Sequence, residues 1–222
     1  EDPVRVRAGL QHVLEEATGQ GHVYLPSELL VSQATGFLEV DQVLVEQALA
    51  GLVRLGHLIS QPAADGDDAI YVPRFAEAED RLAELLVRLA ARNRTLHPAL
   101  RTRGLEEGSR RAGVELTEEQ EGAVEAALQR GLTVITGGPG TGKTTVLKAV
   151  IHALRSSGDS VTLCAPTGRA AKRMSEATGF PAKTIHRLLE YDPSSEGFGR
   201  NEGNPILADV VIVDEVSMID LI

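Results

Sequence analysis

The chain has 222 residues, enough for one or two domains, and a formal net charge of −10. That balance argues against non-specific wrapping of nucleic acid but leaves room for a local basic track. The single cysteine, Cys164, excludes a disulfide framework and is expected to pack in an apolar run, and no apolar stretch approaches the ~20 residues of a membrane span. The charge is uneven. Through Arg130 acids outnumber bases by 22 to 13, whereas from Gly131 onward they stand at 10 to 9, and all four lysines lie in that second part. The chain opens Glu-Asp-Pro, with no signal-peptide pattern and no initiator methionine, as expected of a fragment of a cytoplasmic protein.

Residues 1–74 read as a small, mostly helical domain. Val6, Leu10, Val13, Leu14 and Ala17 recur at helical spacing, and Gly19 or Gly21 ends the helix. Pro26-Ser27 opens a second helix. Asp41 caps a third, with Val43, Leu44, Val45, Ala48, Leu49 and Leu52 expected to be buried. His57–Ser60 and Ala69–Val72 read as strands joined by the hairpin loop 62–68. Three helices and a hairpin are the outline of a winged helix. The third helix carries Asp41, Glu46 and Gln47 with only Arg54 positive, so it reads as a packing or protein-contact element rather than a reader of DNA.

Residues 75–113 read as an amphipathic helix from Phe75 to Arg94, striped by Leu82, Leu85, Leu86 and Leu89, then a basic linker from Pro98 through Gly104–Gly113. Arg101, Arg103, Arg110 and Arg111 fall in that linker.

From Val114 the pattern changes to strand–helix alternation, which implies a parallel sheet covered by helices: an α/β P-loop fold. Leu132–Ile135 reads as a buried strand. Gly137-Gly138-Pro139-Gly140-Thr141-Gly142-Lys143-Thr144 matches G-x-x-x-x-G-K-[ST], and a helix follows through Leu154. Glycines let such a loop curl its backbone N–H groups around phosphate oxygens, and the helix N-terminus adds its dipole. Lys143 is placed to meet the β- and γ-phosphates of ATP, and the Thr144 hydroxyl to bind Mg²⁺. Val210–Val213 reads as a buried strand ending in Asp214 and Glu215. There one carboxylate holds Mg²⁺ through water and the other acts on the attacking water as general base. Between Thr167 and Arg187 stand Arg169, Lys172, Arg173, Lys183 and Arg187 against one acid, Glu176: a positive track suited to a phosphate backbone. Residues 191–205 are polar and Gly-rich, a loop or hairpin.

Four segments, GGPGTGKTT, APTGRAAKRM, KTIHRLL and VVIVDEVSMID, resemble motifs I, Ia, Ib and II of superfamily 1 DNA helicases, and most closely the RecD-like enzymes that move 5′ to 3′ on single-stranded DNA. The helical start resembles, more loosely, the region preceding the motor in long-form bacterial RecD proteins. The resemblance implies an ATP-dependent helicase acting on single strands and single/double-strand junctions. It implies Gly138, Pro139, Gly140, Thr141, Gly142, Lys143, Thr144 and Thr145 as phosphate and Mg²⁺ contacts, and Asp214 and Glu215 as the metal and water-activating pair. Pro166, Thr167, Gly168, Arg169 and Lys172, with Thr184 and His186, become DNA contacts. Gln120 matches the glutamine that reads adenine, yet Thr117-x-x-Gln120 is also a capping box, and both readings stand. In the family, the γ-phosphate sensor, the arginine fingers and the second motor domain follow motif II. Residues 1–222 alone are therefore expected to show little ATPase activity and no unwinding. The remaining expectations are a monomer in the bacterial cytoplasm on the nucleoid, no membrane contact, and a protein partner docking through residues 1–74. The alternatives are a helicase subunit of a recombination nuclease complex and a P-loop ATPase or nucleotide kinase that does not act on DNA.

Overall fold

The computed structural model describes residues 2–63, 66–93, 98–113, 115–138 and 140–221. Several sequence expectations touch residues outside these ranges: Pro139 of the phosphate loop, Ala64 and Asp65 of the hairpin loop, Arg94 at the helix end and Val114. The side chain of Arg101 lies outside them too. The chain divides into two compact units, residues 1–85 with 220–222, and residues 86–219.

In the first unit, α1 (Pro3–Gly19) starts where Asp2 accepts the Val4 N–H at 2.9 Å and Pro3 presets the first turn. Then come β1 (Leu25–Pro26), α2 (Ser27–Leu38) and α3 (Gln42–Arg54), whose N-cap Asp41 accepts the Val43 N–H at 2.8 Å. β2 (Ile59–Pro62) and β3 (Asp68–Tyr71) form the expected hairpin, and β1 adds to it in the antiparallel order β1-β3-β2. Leu10, Leu14, Leu30, Val45, Leu52 and Leu58 form one core. Val43 and Leu44 do not join it. They sit on the outer face of α3, and Val43 is 55% exposed.

α4 (Pro73–Ala90) is the amphipathic helix, but Leu82, Leu86 and Leu89 are exposed and only Ala76 is buried. The second correction is larger. The stretch 104–113, expected as linker, is helical through Ala112 and forms the greater part of α5 (Pro98–Ala112). Its glycines were read as breakers, yet they allow close helix contact. A Cβ at Gly108 would stand 2.6 Å from the Ala149 carbonyl, and one at Gly104 3.5 Å from that of Ala153.

The second unit continues with α6 (Glu118–Gln129), α7 (Lys143–Ser156), β4 (Val161–Ala165), α8 (Gly168–Thr178), β5 (Ala182–Thr184), α9 (Ile185–Leu188), the short hairpin β6 (Tyr191–Asp192) and β7 (Gly197–Phe198), and β8 (Val210–Val213), which leads to a 3-10 turn, Val216–Met218. β4, β5 and β8 form a parallel sheet in the order β5-β4-β8. Helices α6 and α7 cover it through Val124, Leu128, Val146, Ala149, Val150 and Leu154, against which Val210 and Ile212 pack.

Residues 132–136 form no ladder, and Val134 is 81% exposed. A strand is stable only where a neighbour takes its N–H and C=O groups, and no described segment does so here. The Thr133 hydroxyl is buried without a partner among the described residues, and a cavity of about 320 Å³ opens between 132–136 and Ala123, Ala126 and Arg130. β8, expected to be buried, is the edge strand of its sheet. Val211 and Val213 are exposed, whereas Val210 and Ile212 face the helices.

Candidate functional site

The phosphate loop leaves residues 132–136 and closes onto α7. Gly140 and Gly142 have φ of 77° and 83°, the left-handed region that glycine enters without strain. Gly142 is the N-cap of α7, so the unpaired N–H groups of the first helical turn open toward the loop. Thr141 Oγ1 donates to the Gly138 carbonyl at 2.9 Å and holds the curl. Lys143 Nζ donates to the carbonyls of Gly137 and Gly138 at 2.5 and 2.7 Å, so its ammonium lies folded over the loop. Thr144 is exposed at the loop mouth and Thr145 is half-buried.

Gln120 performs the capping role and also borders the phosphate loop. Its Oε1 accepts the Thr117 N–H at 3.1 Å while Thr117 Oγ1 accepts the Gln120 N–H at 3.4 Å, completing the capping box of α6. Its Nε2 donates to the Thr141 carbonyl at 3.3 Å. The amide lies so close to the loop that a Cβ on Gly142 would come within 2.7 Å of Nε2.

The parallel sheet brings the remaining residues to one edge. Register pairs Ala165 with Thr184 and Cys164 with Val213, and Asp214 N–H donates to the Cys164 carbonyl at 3.0 Å. Pro166–Arg169, Thr184–His186 and Asp214–Glu215 therefore leave the C-terminal ends of three adjacent strands, where ligands of open α/β sheets bind. Thr167 and Thr184 spend their hydroxyls locally. Each caps the helix that follows, accepting from Ala170 N–H at 3.1 Å and Arg187 N–H at 3.2 Å. Arg169, Lys172 and Arg173 stand on the exposed face of α8, whose Ala170, Ala171 and Met174 are buried. Lys172 faces Glu176 at 3.8 Å and Arg173 faces Glu215 at 3.7 Å.

Two further features were not read from the sequence. His186 packs edge-on against Tyr191 at 5.2 Å, and Phe198 completes the cluster from the other strand of the β6–β7 hairpin. Aromatic residues either side of a turn at 193–196 were the available signal. Glu215 has φ 53° and ψ 41°, an uncommon conformation for a residue with a side chain. Cys164 is buried, as the sequence reading expects, and burial pushes its thiol up to about 11, so it packs as a neutral group.

Thr144 and Asp214 share no direct bond among the described residues. α7 and β8 are linked through their common core of Val146, Val150, Val210 and Ile212. No group of three or more His, Cys, Asp or Glu able to hold a metal exists among the described residues. A cation held by one carboxylate, one hydroxyl and substrate phosphates needs no such group, and the Thr144 hydroxyl and Asp214 carboxylate fit that donor set.

A parallel sheet, a glycine loop that opens a helix, and acidic residues at the C-terminal end of a sheet strand are the construction of a P-loop NTPase. A family model described as an AAA domain matches residues 120–222. The chain is 38% identical to the ATP-dependent RecD2 DNA helicase of Deinococcus radiodurans over 98% of its own length and 31% of that protein. It is 40% identical to the RecBCD enzyme subunit RecD of Mycolicibacterium smegmatis over 47% of this chain and 23% of the subunit. It is 38% identical to the ATP-dependent DNA helicase dda of Enterobacteria phage T4 over 48% of this chain and 27% of that protein. Similarity of this order, running nearly the whole length of the chain, makes it a member of the RecD-like superfamily 1 helicases. The chain spans no more than 31% of the length of these three relatives.

Proposed function

We propose that the protein containing this chain is an ATP-dependent DNA helicase that translocates 5′ to 3′ along single-stranded DNA and opens strands at junctions. The observation that carries this reading is the shared sheet edge. The basic segments after β4 and β5 and the carboxylates after β8 emerge side by side, so strand contact and nucleotide chemistry rest on one rigid frame. Residues 1–74 are the candidate docking surface for a partner protein. The working protein is a monomer in the bacterial cytoplasm, on the nucleoid.

The chain's own groups suit hydrolysis of a nucleoside triphosphate. The loop N–H groups and the α7 N-terminus receive phosphate oxygens. Lys143 exchanges the Gly137 and Gly138 carbonyls for those oxygens and neutralises charge as the γ-phosphoryl separates. Gln120 borders the loop at Thr141, where it can read the base. Glu215 takes the proton of the attacking water, and Asp214, tied to Cys164 by its backbone, carries the second carboxylate. Thr144 and Asp214 would hold Mg²⁺, which would supply electrostatic stabilisation of the phosphate oxygens.

The test is ATP hydrolysis by the full-length protein with and without single-stranded DNA, alongside Glu215→Gln. The expected result is stimulation by DNA and a loss of about 10²–10⁴ in kcat for the variant. Hydrolysis indifferent to DNA would remove the helicase reading. Translocation on strands blocked at one end or the other then checks the polarity.

A further inference from the structure

We propose that Arg173 is a positioning residue that restrains Glu215 until DNA engages the basic track. The inference rests on the helicase reading above and adds to it a physical link between strand contact and hydrolysis.

Arg173 belongs to α8, the helix opened by Thr167, and shares its exposed face with Arg169 and Lys172. Lys172 faces a residue of its own helix, Glu176, at 3.8 Å. Arg173 instead reaches off the helix, and its Nη1 lies 3.7 Å from Glu215 Oε1. One side chain of the proposed DNA track is thus paired with the proposed general base.

The backbone of Glu215 is pinned around that pair. Its N–H donates to Asp214 Oδ1 at 2.9 Å, and its carbonyl accepts the Met218 N–H at 3.0 Å. With the main chain held in the left-handed region, the side-chain torsions are what remain to direct the carboxylate. The guanidinium turns that carboxylate toward α8.

The restraint is weak, as a release mechanism requires. At 3.7 Å the pair is longer than a hydrogen bond, and the side chains are 73% and 35% exposed. Exposed pairs of this kind shift an equilibrium by no more than about fivefold. A DNA phosphate offers a guanidinium two parallel hydrogen bonds, a better partner than a carboxylate at this distance. A strand arriving on α8 therefore draws Arg173 away and leaves Glu215 free to turn to water.

The experiment measures kcat for ATP by the full-length protein, DNA-free and saturated with single-stranded DNA, for wild type, Arg173→Ala and Arg173→Lys. Arg173→Ala is expected to raise the DNA-free rate about two- to fivefold. The DNA-saturated rate and the KM for ATP should stay near wild type, so the stimulation ratio falls by the same factor. Arg173→Lys keeps a charge but not the two parallel bonds to a phosphate, so more DNA is expected to be needed for half-maximal stimulation. A merely structural role would lower both rates together. If Arg173→Ala lowers the melting midpoint, Arg173→Gln is measured in its place. A DNA-free rate unchanged or reduced, in a wild-type background that DNA does stimulate, overturns this inference alone. A wild-type rate that DNA does not change overturns the helicase reading and this inference with it.

Discussion

Gln120 shows how much one side chain carries at this site. Its oxygen serves the α6 N-terminus through Thr117, and its nitrogen serves the phosphate loop through Thr141. Two substitutions separate these duties. Gln120→Glu keeps an acceptor for Thr117 N–H but sets a carboxylate against the Thr141 carbonyl. It should hold the melting midpoint and raise the KM for ATP several-fold. Gln120→Ala loses both bonds and should also cost about 1 kcal/mol of stability. Equal KM values for Gln120→Glu and wild type, measured in the full-length protein, would confine Gln120 to capping. The sequence named capping and base reading for this residue, but it could not show that the amide nitrogen bonds the loop while the oxygen serves the cap. Gly142 has a related double constraint, since a φ of 83° and the nearness of Gln120 Nε2 both require glycine.

Among the elements, helices with capping residues were the most legible. Asp2, Asp41, Thr117, Thr167 and Thr184 each begin the helix their residue type announces. α5 was misread because Gly104, Gly108 and Gly113 look like breakers, although two of them are contact points against α7. Gly108→Val tests that contact. Its Cβ would lie 2.6 Å from the Ala149 carbonyl and 3.2 Å from Ala153 Cβ. The expected loss is about 1–3 kcal/mol, read as a lowered midpoint in calorimetry. Gly104→Ala, with its nearest contact at 3.4 Å, should be tolerated far better. Residues 132–136 err in the other direction. Their composition is that of a buried strand, but strand formation depends on a neighbour elsewhere in the chain, which a local pattern does not contain.

Across the whole molecule, the excess of acids lies in residues 1–85, with 15 acids to 5 bases, while residues 86–219 hold 16 to 17 and all four lysines. In the second unit α5, α7 and the end of α8 surround His152, which stacks edge-on against Phe180 at 5.3 Å while Arg155 lies over the same ring. Burial first, then the positive charges of Arg111 and Arg155, hold its imidazole below the ordinary value, with Lys148 adding to and Glu107 opposing the effect. Because protonation is easier in the unfolded chain, the stabilisation is complete above an unfolded value of about 6.5 and is lost as pH falls through the lower folded one. The melting midpoint of the second unit should therefore fall between pH 7 and 5, and His152→Gln should flatten that slope. An unchanged slope would assign the acid sensitivity to other groups.

The sequence alone determined the phosphate loop, the carboxylates Asp214 and Glu215, the basic run from Arg169 to Arg187 and the family likeness. Each of these is a short contiguous run whose chemistry depends on neighbouring residues. Tertiary structure alone decided that Ala165, Thr184 and Val213 lie in adjacent strands, that α5 is a packed helix, that 132–136 stays unpaired and that Arg173 meets Glu215. Those are contacts between residues distant in the chain, set by sheet register and by which faces can close on one another, and local periodicity carries no record of either.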